Sequence, residues 1–226
     1  MKKTAEMTFD EWALDGRDEG MERGHFPRAE QVLQSLSPVT DGSYLDLGCG
    51  NGWASRWIHE RTGAEGNVVG LDVAANMIKR AEKLSQAESG LSFRQASFES
   101  MPFGDATFDG AFSMEALYYS TDLHQALCEI RRVLRPEGVL AFCTDFFQEN
   151  PYCHDWPEGL GIPMELLTEE KWCDTLRAAG FKVTRAFRCL DSRTDDPSAS
   201  EATIDFRTRI GALGILAVNP IDGVTP

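Results

Sequence analysis

The feature that most constrains this chain is a short apolar run that ends in three glycines at alternate positions. The run reads Leu45-Asp46-Leu47-Gly48-Cys49-Gly50-Asn51-Gly52. It predicts a buried strand, a tight turn and the start of a helix. Glycines at such a turn let the backbone approach a ligand closely, because no side chain stands in between.

A second apolar segment ends in a carboxylate. The strand predicted over 67–71 runs into Asp72, which follows Gly50 by about the interval at which an acid accepts ribose hydroxyls in α/β folds. The alternative is that Asp72 caps the helix that starts near Ala74. Together the two strand ends predict a nucleoside pocket. A dinucleotide would need a glycine at position 53, where Trp53 would crowd a pyrophosphate, so a ligand without phosphates is favoured.

The rest of the chain alternates helical and strand-like periodicity. The predicted helices lie at 8–24 (one or two), 26–36 with Pro27 in its first turn, 52–61, 75–87, 122–134 and 168–179. The predicted strands lie at 44–47, 67–71, 91–95, 107–113, 138–144, 181–190 and 206–218. This alternation indicates an α/β fold with a parallel sheet covered on both faces. Because the polar segment 191–204 joins the last two strands without a helix, they predict a hairpin and an antiparallel strand.

Net charge, the lack of long apolar runs and the spacing of the cysteines make several classes of function unfavourable. A formal net charge of −14 disfavours nucleic acid, and the densest basic cluster (Arg131, Arg132 and Arg135) is typical of a helix end. The chain has no run of eighteen apolar residues and begins without a secretory signal, so we expect no membrane span and a cytoplasmic protein. Six cysteines without CxxC spacing predict reduced thiols, and the sequence Cys153-His154-Asp155 is a poor metal site. We therefore expect no metal.

Four segments in order carry a family resemblance. They are LDLGCGNG at 45–52, GLDVAANMIKRAEK at 70–83, FRQASFESMPFGDATFDGAFSMEALYYSTD at 93–122 and EIRRVLRPEGVLAF at 129–142. The chain resembles the class I S-adenosylmethionine-dependent methyltransferases, in particular the small-molecule type-11 branch. The resemblance implies a Rossmann-like doubly wound sheet of seven strands, mostly parallel, with one antiparallel strand in a C-terminal hairpin. It also implies one methyltransferase domain over 1–226, with a helical cap at 8–36 and a lid-like insertion at 146–167.

The resemblance further implies S-adenosylmethionine as the cofactor and assigns its contacts. The methionine part would be held by Asp46, Gly48, Cys49 and Gly50, the ribose by Asp72, the adenine by Val73, Met77, Ser97 and Phe98, and the methyl group would face Ser113 and Met114. Ser97 is a departure, because the family usually has an aspartate that bonds the adenine amino group. A neutral hydroxyl makes a weaker hydrogen bond there.

Methyl transfer to a neutral hydroxyl or amine needs a base, whereas a thiolate or carboxylate acceptor does not. Candidates are Glu115 and Tyr118 after the fourth strand, His25 in the cap and His154 in the aromatic loop. We expect a small-molecule methyl acceptor and a monomer or homodimer. Two alternatives stay open: a protein that binds the cofactor as a sensor or scaffold without methyl transfer, and an NAD-dependent dehydrogenase.

Overall fold

The computed structural model describes residues 3–86, 88–191 and 199–221. Within them one sheet is built from seven strands. These are β1 (Ser43–Leu47), β2 (Asn67–Asp72), β3 (Leu91–Gln95), β4 (Phe108–Met114), β5 (Leu134–Thr144), β6 (Lys182–Cys189) and β7 (Ala212–Val218).

Helices precede, connect and cover these strands. They are α1 (Ala5–Leu14), α2 (Arg17–Leu36), α3 (Trp53–Thr62), α4 (Ala75–Leu84), α5 (Leu123–Val133), α6 (Trp156–Leu160), α7 (Glu169–Ala178) and α8 (Glu201–Asp205). A short 3-10 helix (Leu117–Tyr119) follows β4, and a π-helical turn (Phe206–Ile210) follows α8.

The strand order is β3-β2-β1-β4-β5-β7-β6. The first five strands of this order pair in parallel, whereas β7 runs antiparallel to both β5 and β6. This topology confirms the predicted fold, including its antiparallel strand. Because the chain leaves β1 toward one edge and later returns to β4, the carboxyl ends of these two strands border the crevice where open α/β sheets bind ligands.

Both faces of the sheet are buried. On one face α2 and α3 pack around Phe112, and on the other α5 and α7 pack around Phe142 and Trp172. The buried residues of α5 include Leu123, Leu127 and Ile130, at the spacing that places them on one side of a helix. No helix of the described residues is both long and apolar enough to cross a membrane.

The N-terminal helices differ from the prediction. Helix α2 runs unbroken through Pro27, whereas we expected one helix to end before this residue and another to begin at it. Proline removes one helical hydrogen bond. The apolar residues beyond it (Ala29, Val32, Leu33 and Leu36) are buried, which stabilises the continuous helix.

The C-terminal prediction was wrong in part. Residues 206–210 form the π-helical turn, and the last strand begins only at Ala212. Residues 201–205 are helical, and 192–198 of the predicted connecting segment lie outside the described residues. The helix predicted over 75–87 ends at Leu84, and position 87 also lies outside them. The 146–167 segment contains the short helix α6.

Candidate active site

A cavity opens at the carboxyl ends of β1, β2 and β4. We call it the first cavity, and it holds about 780 Å³ of empty space including its mouth. The glycine-rich turn and the strand ends form its floor, and α1 and α2 cover it. The sequence-predicted residues in its lining are His25, Asp46, Gly48, Cys49, Gly50, Asp72, Val73, Met77, Phe98, Met114 and Glu115.

The turn after β1 has a conformation that only glycine adopts readily. Gly48 has φ +70°, and a Cβ atom there would overlap Cβ of Ala116. Two consecutive N–H groups, those of Gly48 and Cys49, donate to the carbonyl of Leu71 on β2 at 2.8 and 2.9 Å. The backbone is therefore held open toward the cavity by contacts with the neighbouring strand.

Two further glycines accommodate an aromatic ring beneath the turn. A Cβ atom at Gly52 would lie 2.7 Å from Cε1 of Phe93, and one at Gly70 would lie 2.5 Å from its Cδ1. The Phe93 ring, from β3, thus fills the space that side chains at both positions would occupy.

Asp72 is held by backbone N–H groups at the end of β2. Its two carboxylate oxygens accept from Gly50 N–H and Ala74 N–H, each at 2.9 Å. Burial raises the pKa of Asp72 to about 6, against the lowering effect of these hydrogen bonds. Each oxygen has a further lone pair, so the carboxylate can bond the local backbone and a ligand together.

Asp46 lies deeper, on β1. Its carboxylate accepts from the Ser55 hydroxyl at 2.6 Å, and burial raises its pKa to about 7. Burial also raises the pKa of the Cys49 thiol well above its usual range, so this cysteine is an uncharged wall residue.

The first cavity is acidic. Its described lining residues include five carboxylates (Asp18, Glu22, Asp46, Asp72 and Glu115) and no lysine or arginine. Its one histidine, His25, has a pKa lowered to about 4, mainly by burial, and is therefore neutral near pH 7. A cavity of this kind favours a cationic ligand, because the low-dielectric walls concentrate the field of the carboxylates.

Glu115 follows β4 in a left-handed conformation, with φ +53°. One of its carboxylate oxygens accepts from the Tyr118 hydroxyl at 2.9 Å, and the other accepts from Asp145 N–H. Burial, followed by the charge of Asp145, raises the pKa of Glu115 to about 8. A non-glycine residue with positive φ at a ligand cavity is typical of functional sites.

A buried ion pair supports this region from below. Arg28 of α2 donates to both carboxylate oxygens of Asp145, with nitrogen–oxygen distances of 3.1 and 2.6 Å. Both residues are buried, so the bidentate geometry fixes the second half of α2 to the end of β5. Sequence reasoning missed this pair, because its members are more than a hundred residues apart.

Sequence reasoning also missed Asp18, Met21 and Glu22, which line the first cavity from α2. A signal for them exists. With His25 they occupy positions i, i+3, i+4 and i+7, which form one face of a helix. We predicted a helix boundary within this stretch, so the shared face was not recognised.

A second cavity adjoins the first and is larger, with about 1950 Å³ of empty space including its mouth. The two cavities share Ala5, Val73, Phe98 and Tyr119 in their linings. The 162–167 part of the predicted lid forms one wall of the second cavity. Its other walls come from the N-terminal segment and from the segments after β3 and β4.

Three predicted site residues lie outside the first cavity. Ser97 lines the second cavity. Ser113 is buried, and its hydroxyl donates to the carbonyl of Leu47 at 3.0 Å, which ties β4 to β1. Tyr118 lies behind Glu115, so in this arrangement it orients the carboxylate while its neighbour Tyr119 faces both cavities.

The remaining candidate base, His154, lines neither cavity. His154 is exposed, and its Nε2 atom bonds the carbonyl of Gln148 at 2.9 Å. Among the described residues, no group of three or more metal-binding side chains is close enough to hold an ion.

Trp53 is the first residue of α3 and lies against the rings of Phe26 and Phe112. Its indole therefore covers the helix start where a pyrophosphate would bind.

Comparison with known proteins agrees with this arrangement. Residues 45–142 match the family profile described as "Methyltransferase domain". A chain in the solved complex between the Haloferax volcanii Trm112 methyltransferase activator and a presumed methyltransferase is 32% identical. That match has a TM-score of 0.87 and covers 94% of this chain and 98% of the other. The chain belongs to the class I S-adenosylmethionine-dependent methyltransferases.

Two curated relatives support membership of this methyltransferase family. Methyltransferase phqN of Penicillium fellutanum is 34% identical over 201 residues, which cover 82% of this chain. The malonyl-[acyl-carrier protein] O-methyltransferase of Pseudescherichia vulneris is 38% identical over 153 residues, or 66% of this chain. The matches span 60% and 59% of the lengths of these two relatives.

Proposed function

We propose that this methyltransferase-family chain transfers a methyl group from S-adenosylmethionine to a small-molecule acceptor. The observation that carries the proposal is the pair of adjoining cavities. The first is acidic and lies on the strand ends, and the second is larger and has mostly apolar walls. Residues 3–6 and the 162–167 part of the 146–167 segment contribute to the second, so they would form the acceptor side of one domain, whereas the predicted cap (8–36) lines the first. The Pseudescherichia relative is named as an O-methyltransferase, which favours an oxygen acceptor.

The first cavity fits this cofactor by its shape and its charge. The turn at Gly48 has no room for a side chain, and Asp72 retains lone pairs for ribose hydroxyls. The cofactor carries a sulfonium and an ammonium group, which suit a lining of five carboxylates without lysine or arginine. Val73 and Met77 would lie beside the adenine ring of the cofactor. Asp46 and the backbone of the glycine-rich turn would face its methionine part.

When bound, the cofactor supplies a methyl group that is already activated for transfer. The protein then has to align the acceptor and exclude water. Glu115 is the best-placed base, because it faces the first cavity near Tyr119 and its pKa of about 8 is close to neutral pH. Tyr118 would position it. His25, whose pKa is lowered to about 4, would be a weak base.

Two measurements test this function. The first is calorimetric titration of the protein with S-adenosylhomocysteine, S-adenosylmethionine and NAD. The second is an S-adenosylhomocysteine-release screen across phenols, carboxylates, amines and thiols. We expect saturable binding of the two sulfur nucleosides and turnover with an apolar acceptor that has a hydroxyl or carboxyl group. Saturable NAD binding without them would contradict the proposal, and tight binding without turnover for any acceptor would favour a sensor role.

A second proposal concerns a protein partner, because the similar Haloferax structure contains the Trm112 methyltransferase activator. We propose that an activator of this kind binds the present chain. Mixing the purified chain with Haloferax Trm112 tests this by size-exclusion chromatography. We expect one co-eluting complex, and separate elution at micromolar concentrations would contradict the proposal.

A further inference from the structure

The outer arm, which we define as residues 5–27 (α1 and the first half of α2), is attached by polar contacts and by two aromatic contacts, Phe9 with Tyr119 and Phe26 with Trp53. Its buried residues are Thr8 and Asp18, whereas the buried apolar residues of α2 all lie beyond Pro27. The Asp10 carboxylate accepts from Asn76 N–H at 2.7 Å, which places α1 against the start of α4. The arm therefore covers the first cavity, and its side chains are less deeply buried than the part of α2 beyond Pro27.

Asp18 forms the centre of these contacts. Its Oδ2 atom accepts from Nδ2 of Asn51 at 3.2 Å and from Nε of Arg80 at 3.1 Å. The side chain is 1% exposed, and its Oδ1 atom has no hydrogen-bond partner. Asp18 also lines the first cavity. A buried carboxylate oxygen without a donor is unfavourable, and its position beside the first cavity makes a ligand bound there a candidate donor.

We infer that Asp18 is a further cofactor ligand, whose free oxygen accepts a hydrogen bond from the bound cofactor and so holds the outer arm closed. The inference rests on the proposed function, which supplies the cofactor. The donors available on that molecule are the ribose hydroxyls, the ammonium group and the adenine amino group. Asp18 and Asp72 both bond the glycine-rich turn, through Asn51 and Gly50, so the two carboxylates face the cavity from the arm and from the sheet.

The sequence of α2 allows the arm to move separately from the rest of the helix. Gly20 and Gly24 face open space, so no packing restrains them, and each weakens the helix. Pro27 lacks the N–H group that would bond the carbonyl of Arg23. Beyond it, Arg28 is fixed to Asp145. The stretch 20–27 is thus the place where the arm can hinge to admit and release the cofactor.

The experiment compares the variant Asp18→Ala with the wild-type chain in the binding of S-adenosylhomocysteine. We expect the dissociation constant from calorimetry to rise at least about tenfold, because a hydrogen bond to a charged group is lost. A second readout is trypsin cleavage at Arg17 and Arg23. Saturating S-adenosylhomocysteine should protect these sites in the wild type and fail to protect them in Asp18→Ala.

Three variants serve as controls. Glu19→Gln removes an exposed carboxylate that also contacts Arg80, and it should change affinity less than about twofold. Arg80→Gln weakens the arm contact but keeps the free oxygen, so its loss of affinity should be smaller than that of Asp18→Ala. Asp18→Asn keeps one oxygen for Asn51 and Arg80 but places an amide NH2 group, which donates, at the position of the free Oδ1 atom, so it should weaken binding about as much as Asp18→Ala.

The outcomes separate this inference from the proposed function. A wild-type chain that does not bind S-adenosylhomocysteine contradicts the proposed function. A wild-type chain that binds it while Asp18→Ala binds equally well contradicts only the role of Asp18. Equal losses in Asp18→Ala and Arg80→Gln would also contradict that role, because they would show that the arm contact alone matters.

Discussion

The two cavities are adjacent but are built in different ways. The floor of the first is formed by backbone: glycine conformations, strand ends and the Asp72 carboxylate, which accepts from two N–H groups at 2.9 Å. The second is formed mainly by side chains from segments outside the sheet, such as Met164 and Leu166. A backbone-built site tolerates few substitutions, whereas a side-chain-built site can change its shape residue by residue. We therefore expect most substitutions around the first cavity to be damaging, and substitutions around the second cavity to change its shape with smaller effects.

The largest expected effect is on the backbone of the first cavity. Gly48→Ala should lower the free energy of unfolding by about 3 kcal/mol, because it combines backbone strain with overlap against Ala116. Urea unfolding measures this. The matched control is Gly161→Ala, which has a similar φ of +68° in the left-handed region but open space around it, and should cost about 1 kcal/mol. Equal losses would show that strain alone, and not close packing, restricts the turn.

The next prediction concerns Glu115, which lines the first cavity near Tyr119. Glu115→Gln should lower kcat about a hundredfold if this carboxylate is the base. In the wild type kcat should rise with pH toward a plateau above about pH 8, because the ionised form accepts the proton and the pKa is raised to about 8. The exposed Glu165, in the second cavity, gives the control Glu165→Gln. A pH profile that is the same in Glu115→Gln and the wild type would exclude this role.

Asp72→Ala tests the cofactor side by affinity. We expect S-adenosylhomocysteine to bind at least about tenfold more weakly, which corresponds to about 1.5–3 kcal/mol for a hydrogen bond to a charged group. Calorimetry measures it, with Asp174→Ala, an exposed carboxylate on α7, as the control. Unchanged affinity in Asp72→Ala would remove this residue from the site.

The smallest effect is expected on the acceptor side. Met164→Ala should raise the acceptor KM by about threefold to tenfold, on the order of 1 kcal/mol for lost apolar contact, and leave S-adenosylhomocysteine affinity unchanged. Steady-state kinetics with the best acceptor of the release screen measures this. Leu190→Ala, at an exposed residue outside both cavities, is the control. A matching loss of cofactor affinity in Met164→Ala would show that the two cavities are not separable.

The same contrast explains what the sequence could predict. The strands, their mostly parallel direction and the carboxylate at the end of β2 could be predicted from local sequence patterns, and the structure shows the predicted fold. The segment 206–210 was predicted as the beginning of the last strand, but it forms a π-helical turn before Gly211. Asp18 was missed because a helix boundary was predicted within α2, and the Arg28–Asp145 pair was missed because its members are far apart in the sequence. Ser113 lies within β4 and its hydroxyl bonds the neighbouring strand, whereas the direction of the Tyr118 side chain, after β4, depends on the unusual φ of Glu115.

The Phe93 ring has a consequence for how this site can vary over time. It lies against Gly52 and Gly70 at once, so a larger residue at either position would push the ring and shift the edge strand that carries it. A smaller residue in place of Phe93 would leave a hollow beneath the turn. The three positions are therefore coupled: a substitution at one is tolerated only with compensating substitutions at the others.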